Sequence, residues 1–169
     1  MNASPLIRFV MPLRLLGLVL ALALAVPAAL AGPVIGETVR LVATMPDGSR
    51  VSLGDAKGRR SLVVLWSPAS LAWRKSMGEF ERFAASPEGA AVYLLAVGVD
   101  GDAASLREFM AARGARFSFA LRGEDNLGPL EEHRLPLLLV IDAEGRLLRQ
   151  HTGMFTARML RDLLDPPVR

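Results

Sequence analysis

Two apolar runs mark the strands around which the rest of this chain is arranged. Residues 62–66 and 91–99 are almost continuously apolar and rich in residues that favour strands. Short apolar runs bounded by polar residues are typical of strands that are buried on both faces. Between the two runs, Met77, Phe80 and Phe83 recur at helical spacing. The pattern therefore predicts a strand–helix–strand unit with parallel strands and a right-handed connection.

Turn and cap signals place the other elements. Ser67 and Pro68 predict the cap and the first residue of the helix that follows the first run. The remaining predictions are a hairpin of residues 39–43 and 51–53, a helix at 103–113, an extended segment at 117–121, a short helix at 127–133, a strand at 137–142, a return strand at 146–150 and a last helix after Thr156. Together these elements predict an α/β fold with a central mixed β-sheet flanked by helices.

The first 31 residues differ in character from the rest. They carry two arginines and no acid, become almost wholly apolar, and end in Ala29-Leu30-Ala31. A basic start, an apolar middle and a small-x-small end define a secretory signal peptide. We therefore expect residues 1–31 to be a cleaved signal peptide and residues 32–169 to form one periplasmic or secreted domain. An N-terminal membrane anchor is the alternative, although the apolar run is somewhat short for a span.

The absence of cysteine limits the possible chemistry. Export would permit disulfides, but a chain with no cysteine cannot form one and has no thiolate to act as nucleophile or ligand. The two histidines, His133 and His151, stand apart from other candidate ligands, so neither a metal site nor a cofactor is expected. The formal net charge is +3 and no basic run occurs, which argues against nucleic acid as a partner.

Residues 61–77 resemble the active-site segment of thioredoxin-like proteins, in the periplasmic TlpA-like (redoxin) branch. In that family an apolar strand ends in a tryptophan, and a short linker, a Cys-Pro-Pro-Cys type motif and an Arg-Lys pair follow. Trp66 matches the strand-ending tryptophan and Arg74-Lys75 matches the pair. The two cysteine positions fall on Ser70 and Trp73. The resemblance thus implies a thioredoxin-like fold whose active site is degenerate.

A second block of the chain resembles the same family. There, a cis-proline precedes a strand that ends in Ile-Asp, and a glycine turn and a return strand follow. Pro136 matches that proline, ahead of the apolar residues 137–142. The resemblance implies a cis bond between Leu135 and Pro136. It extends from residue 35 to residue 164, which is nearly all of the predicted domain.

The residues at the two cysteine positions leave alternatives open. Ser70 is expected to cap the helix, because a serine nucleophile needs an adjacent base and only His133 could approach it. The N–H groups at the helix start could instead hold a thiol or an anion donated by a ligand. Trp73 is either a core residue or a contact residue, since tryptophan is costly to expose and enriched at interfaces.

The predicted function is binding without catalysis. We expect an exported, cysteine-less thioredoxin-fold protein that holds a peptide or partner protein of the cell envelope in the family's substrate groove. In that family the residue before the cis-proline offers its backbone to an extended peptide. The predicted binding surface comprises Trp66, Ala69, Ser70, Leu71, Trp73, Leu135 and Pro136, with Trp73 as the energetic anchor.

Two other functions remain open from the sequence. The first is a relative of the thiol-disulfide oxidoreductases that acts through the thiol of a partner or ligand, for example in envelope redox reactions or cytochrome maturation. The second is a surviving fold without present activity. No contact with a membrane is expected except through an uncleaved leader.

Overall fold

The structure is a computed structural model that describes residues 32–56 and 58–165. The predicted signal peptide lies outside these residues, so its cleavage stays a prediction. Within the described residues the strands are β1 (Leu41–Thr44), β2 (Arg50–Ser52), β3 (Ser61–Trp66), β4 (Tyr93–Gly98), β5 (Phe119–Asp125), β6 (Leu137–Ile141) and β7 (Leu147–Thr152). The α-helices are α1 (Leu71–Ala84), α2 (Pro87–Ala91), α3 (Ala103–Ala111) and α4 (Ala157–Leu164), and short 3₁₀ helices span Leu53–Ala56 and Glu132–Arg134.

The seven strands form one mixed sheet in the order β2-β1-β5-β4-β3-β6-β7. Strand β4 runs parallel to β3, as the two apolar runs predict, and it also pairs in parallel with β5. Strands β6 and β7 continue the sheet on the other side in antiparallel fashion, and the β1–β2 hairpin pairs antiparallel to β5. The α/β fold with a central mixed sheet is therefore confirmed.

Strand β3 lies at the centre of the packing. All six of its residues are buried, which explains why its sequence is continuously apolar instead of alternating. Leu62, Val64 and Trp66 belong to one hydrophobic cluster together with side chains of α1, α3 and α4. Val63 and Leu65 belong to a second cluster, which includes β1 and the segment before β6. Because both faces of β3 are packed in hydrophobic clusters, the position of the C-terminal end of β3 is fixed. The start of α1, which follows it, is fixed with it.

Helix α1 starts three residues later than the sequence predicts. The hydroxyl of Ser67 accepts a hydrogen bond from the Ala69 N–H at 3.0 Å, and the Ser70 N–H donates to the Ser67 carbonyl at 3.1 Å. Residues 67–70 thus form a turn, and Ser70 instead of Ser67 caps the helix. A serine does cap the helix, as predicted. The hydrogen bonds of the turn at residues 67–70 place that cap three residues later in the chain.

The predicted short helix at residues 127–133 is wrong. Only Glu132–Arg134 is helical, as a single 3₁₀ turn. Gly128 adopts a φ of 71°, which an α-helix does not permit. In addition, the Asn126 side chain bonds to the Thr38 carbonyl and the Arg40 N–H, so this segment is held by the N-terminal strand region instead of by itself.

Candidate functional site

Ser70 lies where the start of α1 meets the segment before β6. Its hydroxyl accepts a hydrogen bond from the Trp73 N–H at 3.2 Å, which is the standard helix-cap contact. The same hydroxyl donates to the Leu135 carbonyl at 2.8 Å. Ser70 is buried, and its proton is directed at the protein's own backbone. It therefore acts as a cap and as a bridge between two segments that are 65 residues apart in the chain.

The backbone of Leu135 has hydrogen-bond partners within the chain at both of its polar groups. The peptide bond between Leu135 and Pro136 is cis, the isomer that the family resemblance implies. The Leu135 N–H donates to the Glu132 carbonyl at 3.1 Å, and its carbonyl accepts from Ser70. The Leu135 side chain is only 3% exposed. The N–H is therefore unavailable to an extended peptide unless its bond to Glu132 breaks, whereas the carbonyl keeps a second lone pair.

Trp66 and Trp73 do not lie on the surface. Both indoles are fully buried, and their rings stack with centroids 5.1 Å apart. Trp73 is on the same side of α1 as Met77 and Phe80, because residues at i, i+4 and i+7 share a helix face. The prediction that Trp66 and Trp73 contact a partner, with Trp73 as anchor, is therefore wrong. Of the two roles that the sequence left open for Trp73, core residue and contact residue, the structure shows the first.

Burial divides the seven predicted binding residues into two groups. Ala69 and Leu71 are exposed, and Leu71 has 57% of its surface accessible. The other five are buried: Trp66, Ser70, Trp73, Leu135 and Pro136. Trp66 is buried as the last residue of the central strand β3, and Trp73 lies on the inward face of α1. Ser70, Leu135 and Pro136 are buried where the Ser70–Leu135 hydrogen bond joins the two segments. The surface that remains at this end of the fold is smaller than the sequence predicts.

A shallow depression lies between the helix start and the 3₁₀ turn. It is lined by Ala69, Ser70, Leu71, Ala72, Glu132, His133 and Leu135. His133 is exposed and lies 3.4 Å from the carboxylate of Glu131. No hydrogen bond joins it to Ser70 within the described part of the chain, so the serine–histidine pair considered above is not formed. The depression therefore has one apolar wall and one polar wall and holds no nucleophile–base pair.

Two residues that sequence reasoning missed connect α1 to the start of α4. The Ser76 hydroxyl accepts a hydrogen bond from the Phe155 N–H at 3.0 Å. The Glu79 carboxylate accepts from the Ala157 N–H at 2.9 Å and pairs with Arg82. These contacts join residues 78 or 79 positions apart, so no local pattern could have indicated them. They fix the direction in which α1 presents its N-terminus.

Neither a metal centre nor a membrane-spanning helix is found in the part of the chain that the structure describes. No group of three or more His, Cys, Asp or Glu side chains comes together there in a way that could hold an ion. None of the helices described has the length and apolar character needed to cross a bilayer.

We expect the contribution of Glu79 to stability to depend on pH. The Ala157 N–H, with the nearby Arg82, lowers the pKa of the Glu79 carboxyl from its ordinary value of 4.5. A lowered pKa in the folded state means that the stabilisation is complete above the unfolded pKa and is lost as the pH falls through the folded pKa. In urea unfolding at pH 7 and at pH 3, Glu79→Gln should be less stable than wild type at pH 7, and the difference should shrink at pH 3. An equal difference at both pH values would contradict this assignment.

Solved structures of other proteins share this fold. A protein designated thiol:disulfide interchange protein DsbE, from Chlorobium tepidum, gives a TM-score of 0.63 at 21% identity over 78% of this chain and 96% of its own. A secreted thiol-disulfide isomerase from Corynebacterium glutamicum gives 0.63 at 14% identity over 75% and 81%. StoA from Bacillus subtilis gives 0.56 at 17% identity over 75% and 96%. By sequence, no family model and no curated protein matches the chain.

These similarities establish the fold. The chemistry that the protein can perform has to be inferred from its own residues. The neighbours have the thioredoxin fold of DsbE-like and StoA-like redoxins, as the resemblance of residues 61–77 implies. The reaction named for the neighbours needs sulfur, because a disulfide is exchanged through attack by a thiolate. This chain has no cysteine anywhere in its sequence. The thioredoxin-like fold is thus present without the residues for thiol–disulfide exchange.

Proposed function

Because the protein has the thioredoxin fold and no cysteine, we propose that it is a non-catalytic protein of the cell envelope that binds a peptide or partner protein. The binding surface in this proposal is smaller than the seven residues predicted from the sequence. It consists of the exposed residues at the start of α1, Ala69 and Leu71, with the depression beside them. Contact there is made chiefly by side chains, since the Leu135 N–H already donates to the Glu132 carbonyl.

The observation that carries this proposal is the exposure of Leu71. A leucine that follows a helix cap has 57% of its surface accessible, beside the exposed Ala69 and the partly exposed Ala72. Single exposed apolar residues are common and need no explanation. Here, however, the leucine borders a depression at the end of the sheet where the resemblance places the family's reactive centre. A leucine in this position suits a surface that contacts another protein.

The alternative that works through a ligand's or partner's thiol has less support. It requires Ser70 or the nearby N–H groups to face the incoming sulfur. The Ser70 hydroxyl instead donates to Leu135 and accepts from Trp73, and the residue is 6% exposed. Binding a thiol in this position would therefore require loss of a buried hydrogen bond.

Export is part of the proposal. It is supported by the basic and apolar pattern of residues 1–31 and by neighbours of the same fold that are described as secreted. We propose cleavage after Ala31. The intact mass of the protein isolated from its host tests this, and a mass that includes residues 1–31 would favour an anchor instead.

We expect the purified protein to show no insulin-reducing activity above background. The reaction needs a thiolate for attack and a second sulfur to resolve the mixed disulfide, and this chain has neither. The measurement is the turbidity of reduced insulin in the presence of dithiothreitol, with a cysteine-containing thioredoxin as positive control. Activity that persists after depletion of contaminating thioredoxins would refute the non-catalytic assignment.

Site-specific photo-crosslinking tests the binding surface directly. A photoreactive amino acid placed at Leu71 should give covalent adducts with a protein in envelope preparations. The matched control is Ile35, which is 58% exposed and therefore as accessible as Leu71. Ile35 is followed by Gly36, whose N–H donates to the carbonyl of Leu147 at the start of β7. Pro136 lies beside the opposite end of β7, so Ile35 is remote from the proposed surface. Adducts at position 71 but not at position 35 are expected, and the absence of adducts at position 71 would overturn the proposed surface.

A further inference from the structure

Met154 presents an accessible sulfur atom in a chain that has no cysteine. It lies in the loop between β7 and α4, and 58% of its surface is accessible. Among the other methionines that the structure describes, Met77 and Met110 are buried. Met45 and Met159 are partly buried and pack against the two hydrophobic clusters. Methionine thioethers are the only sulfur in this protein, and within the described residues the one of Met154 is the most accessible.

The loop that carries Met154 is held beside the candidate site by its two neighbours. The Gly153 N–H donates to the Pro136 carbonyl at 3.0 Å. The Phe155 N–H donates to the Ser76 hydroxyl of α1, also at 3.0 Å. The Met154 side chain itself belongs to neither hydrophobic cluster. The backbone is therefore fixed on both sides, while the thioether is free to react without disturbing the core.

We propose that Met154 is a site of reversible oxidation that regulates binding at the start of α1. The inference rests on the proposed function, because it adds regulation to that docking surface. A peroxide transfers one oxygen atom to the thioether: the peroxide O–O bond breaks, an S–O bond forms, the peroxide is reduced to water and the thioether is oxidised to a sulfoxide. A methionine sulfoxide reductase reverses the step, as two thiols supply two electrons, become a disulfide and release the oxygen as water.

Oxidation changes the polarity of this end of the fold. Among the described residues, Leu71 and Met154 are the large apolar residues exposed there, whereas the exposed Val34, Ile35 and Leu148 lie towards the end where β7 begins. A partner that covers the thioether gains from apolar burial. Burial of a polar sulfoxide oxygen without a hydrogen-bond donor costs free energy instead. Oxidation should therefore weaken binding, and reduction should restore it.

Peptide mass spectrometry of the purified protein after treatment with hydrogen peroxide tests the chemical step. Met154 should gain oxygen at least about 10-fold faster than Met77 or Met110, and before Met45 and Met159. Circular dichroism should show that the oxidised protein stays folded. The two methionine sulfoxide reductases, one for each epimer, should together remove the oxygen with dithiothreitol as the thiol. Prior oxidation of another described methionine, loss of the fold, or a sulfoxide that the reductases leave in place would overturn the proposal.

Photo-crosslinking from position 71 tests the regulation. Purified protein that carries the photoreactive amino acid there is oxidised, freed of peroxide and added to envelope preparations. The adduct yield should fall at least about 3-fold, and treatment with the reductases should restore it. Met154→Gln, whose amide resembles the sulfoxide in polarity, should lower the yield without any oxidant.

Two leucine variants show whether Met154 is responsible. The adduct yield of Met154→Leu should not respond to peroxide, because leucine has no sulfur to oxidise. Met159→Leu is the matched control in the neighbouring helix α4, and its yield should fall on oxidation as much as that of wild type. An equal fall in Met154→Leu would show that another residue is oxidised and would overturn the inference.

The results also separate this inference from the proposed function. Selective oxidation of Met154 with an unchanged adduct yield overturns the regulation and leaves the docking surface standing. Absence of adducts at position 71 in the unoxidised protein overturns the docking surface, and the regulation falls with it.

Discussion

Trp73→Ala should lower the free energy of unfolding by about 3–5 kcal/mol, the range for loss of a buried large aromatic side chain. The Trp73 indole is fully buried and stacks on Trp66. Its ring also lies 5.8 Å from each of the Phe80 and Phe117 rings and 6.4 Å from the Phe155 ring, measured between centroids. Removing it leaves a cavity where helix α1, the sheet and the start of α4 meet. The measurement is urea unfolding followed by circular dichroism.

Leu71→Ala is the control for this experiment, because Leu71 lies two residues away on the same helix but is exposed. It should change stability by less than about 0.5 kcal/mol, as is usual for surface positions. A loss of less than about 1 kcal/mol for Trp73→Ala would show that the indole does not fill the core.

Trp73→Phe guards against a variant that fails to fold. It keeps most of the ring volume and removes an indole N–H that has no hydrogen-bond partner in the described part of the chain. Its loss of stability should therefore be clearly smaller than that of the alanine variant. Equal losses for phenylalanine and alanine would argue against the aromatic packing described here.

Ser70→Ala should lower the free energy of unfolding by about 2–4 kcal/mol, more than loss of an ordinary helix cap. Loss of a cap hydroxyl costs about 1 kcal/mol. The substitution also leaves the buried Leu135 carbonyl without the hydroxyl donor that it has at 2.8 Å, which adds about 1–3 kcal/mol. The excess over a normal cap thus measures the contact between α1 and the segment before β6.

Thr156→Ala provides the matched control for the serine. Thr156 caps α4 through a hydrogen bond of 3.2 Å from the Met159 N–H and is exposed. Its hydroxyl has no second, long-range contact of the kind that Ser70 makes, among the hydrogen bonds described for this chain. Its loss should be about 1 kcal/mol. If both alanine variants lose the same stability by urea unfolding, the Ser70–Leu135 hydrogen bond contributes nothing.

Much of the fold could be predicted because the information is local. Strand β3 has a continuous apolar run and α1 has apolar residues at helical spacing, and each pattern reflects the burial that a single element requires. The parallel pairing of β3 with β4 and the hairpin after Pro136 follow from the same kind of pattern, whereas the antiparallel pairing of β6 with β3 was not predicted. The prediction of a helix at residues 127–133 failed because Asn126 bonds to Thr38 and Arg40 in the N-terminal region, and the Asp125 carboxylate accepts from the Leu127 N–H in a local turn.

Only part of the candidate site could be predicted. The sequence identifies Ser67 and Ser70 as possible helix caps, of which Ser70 is the cap in the structure, and the resemblance implies the cis bond before Pro136. It leaves the position of Trp73 open, because a tryptophan at a helix start suits a core and an interface equally well. Burial of the indole depends on which segments pack above it, and those segments are far away in the sequence.

By itself, then, the sequence determines the thioredoxin-like element order and the absence of thiol chemistry, because local periodicity and residue type are sufficient for both. Only the tertiary structure decides which residues at this end of the fold are accessible. The Ser70–Leu135 hydrogen bond and the Ser76 and Glu79 contacts to α4 join residues 65 to 79 positions apart. Five of the seven predicted binding residues are buried in the fold, Trp66 through its place in the central strand and the rest at the junction of α1 with the segment before β6, and Ala69 and Leu71 stay exposed. No local pattern encodes such contacts, since each depends on a partner brought near only by folding.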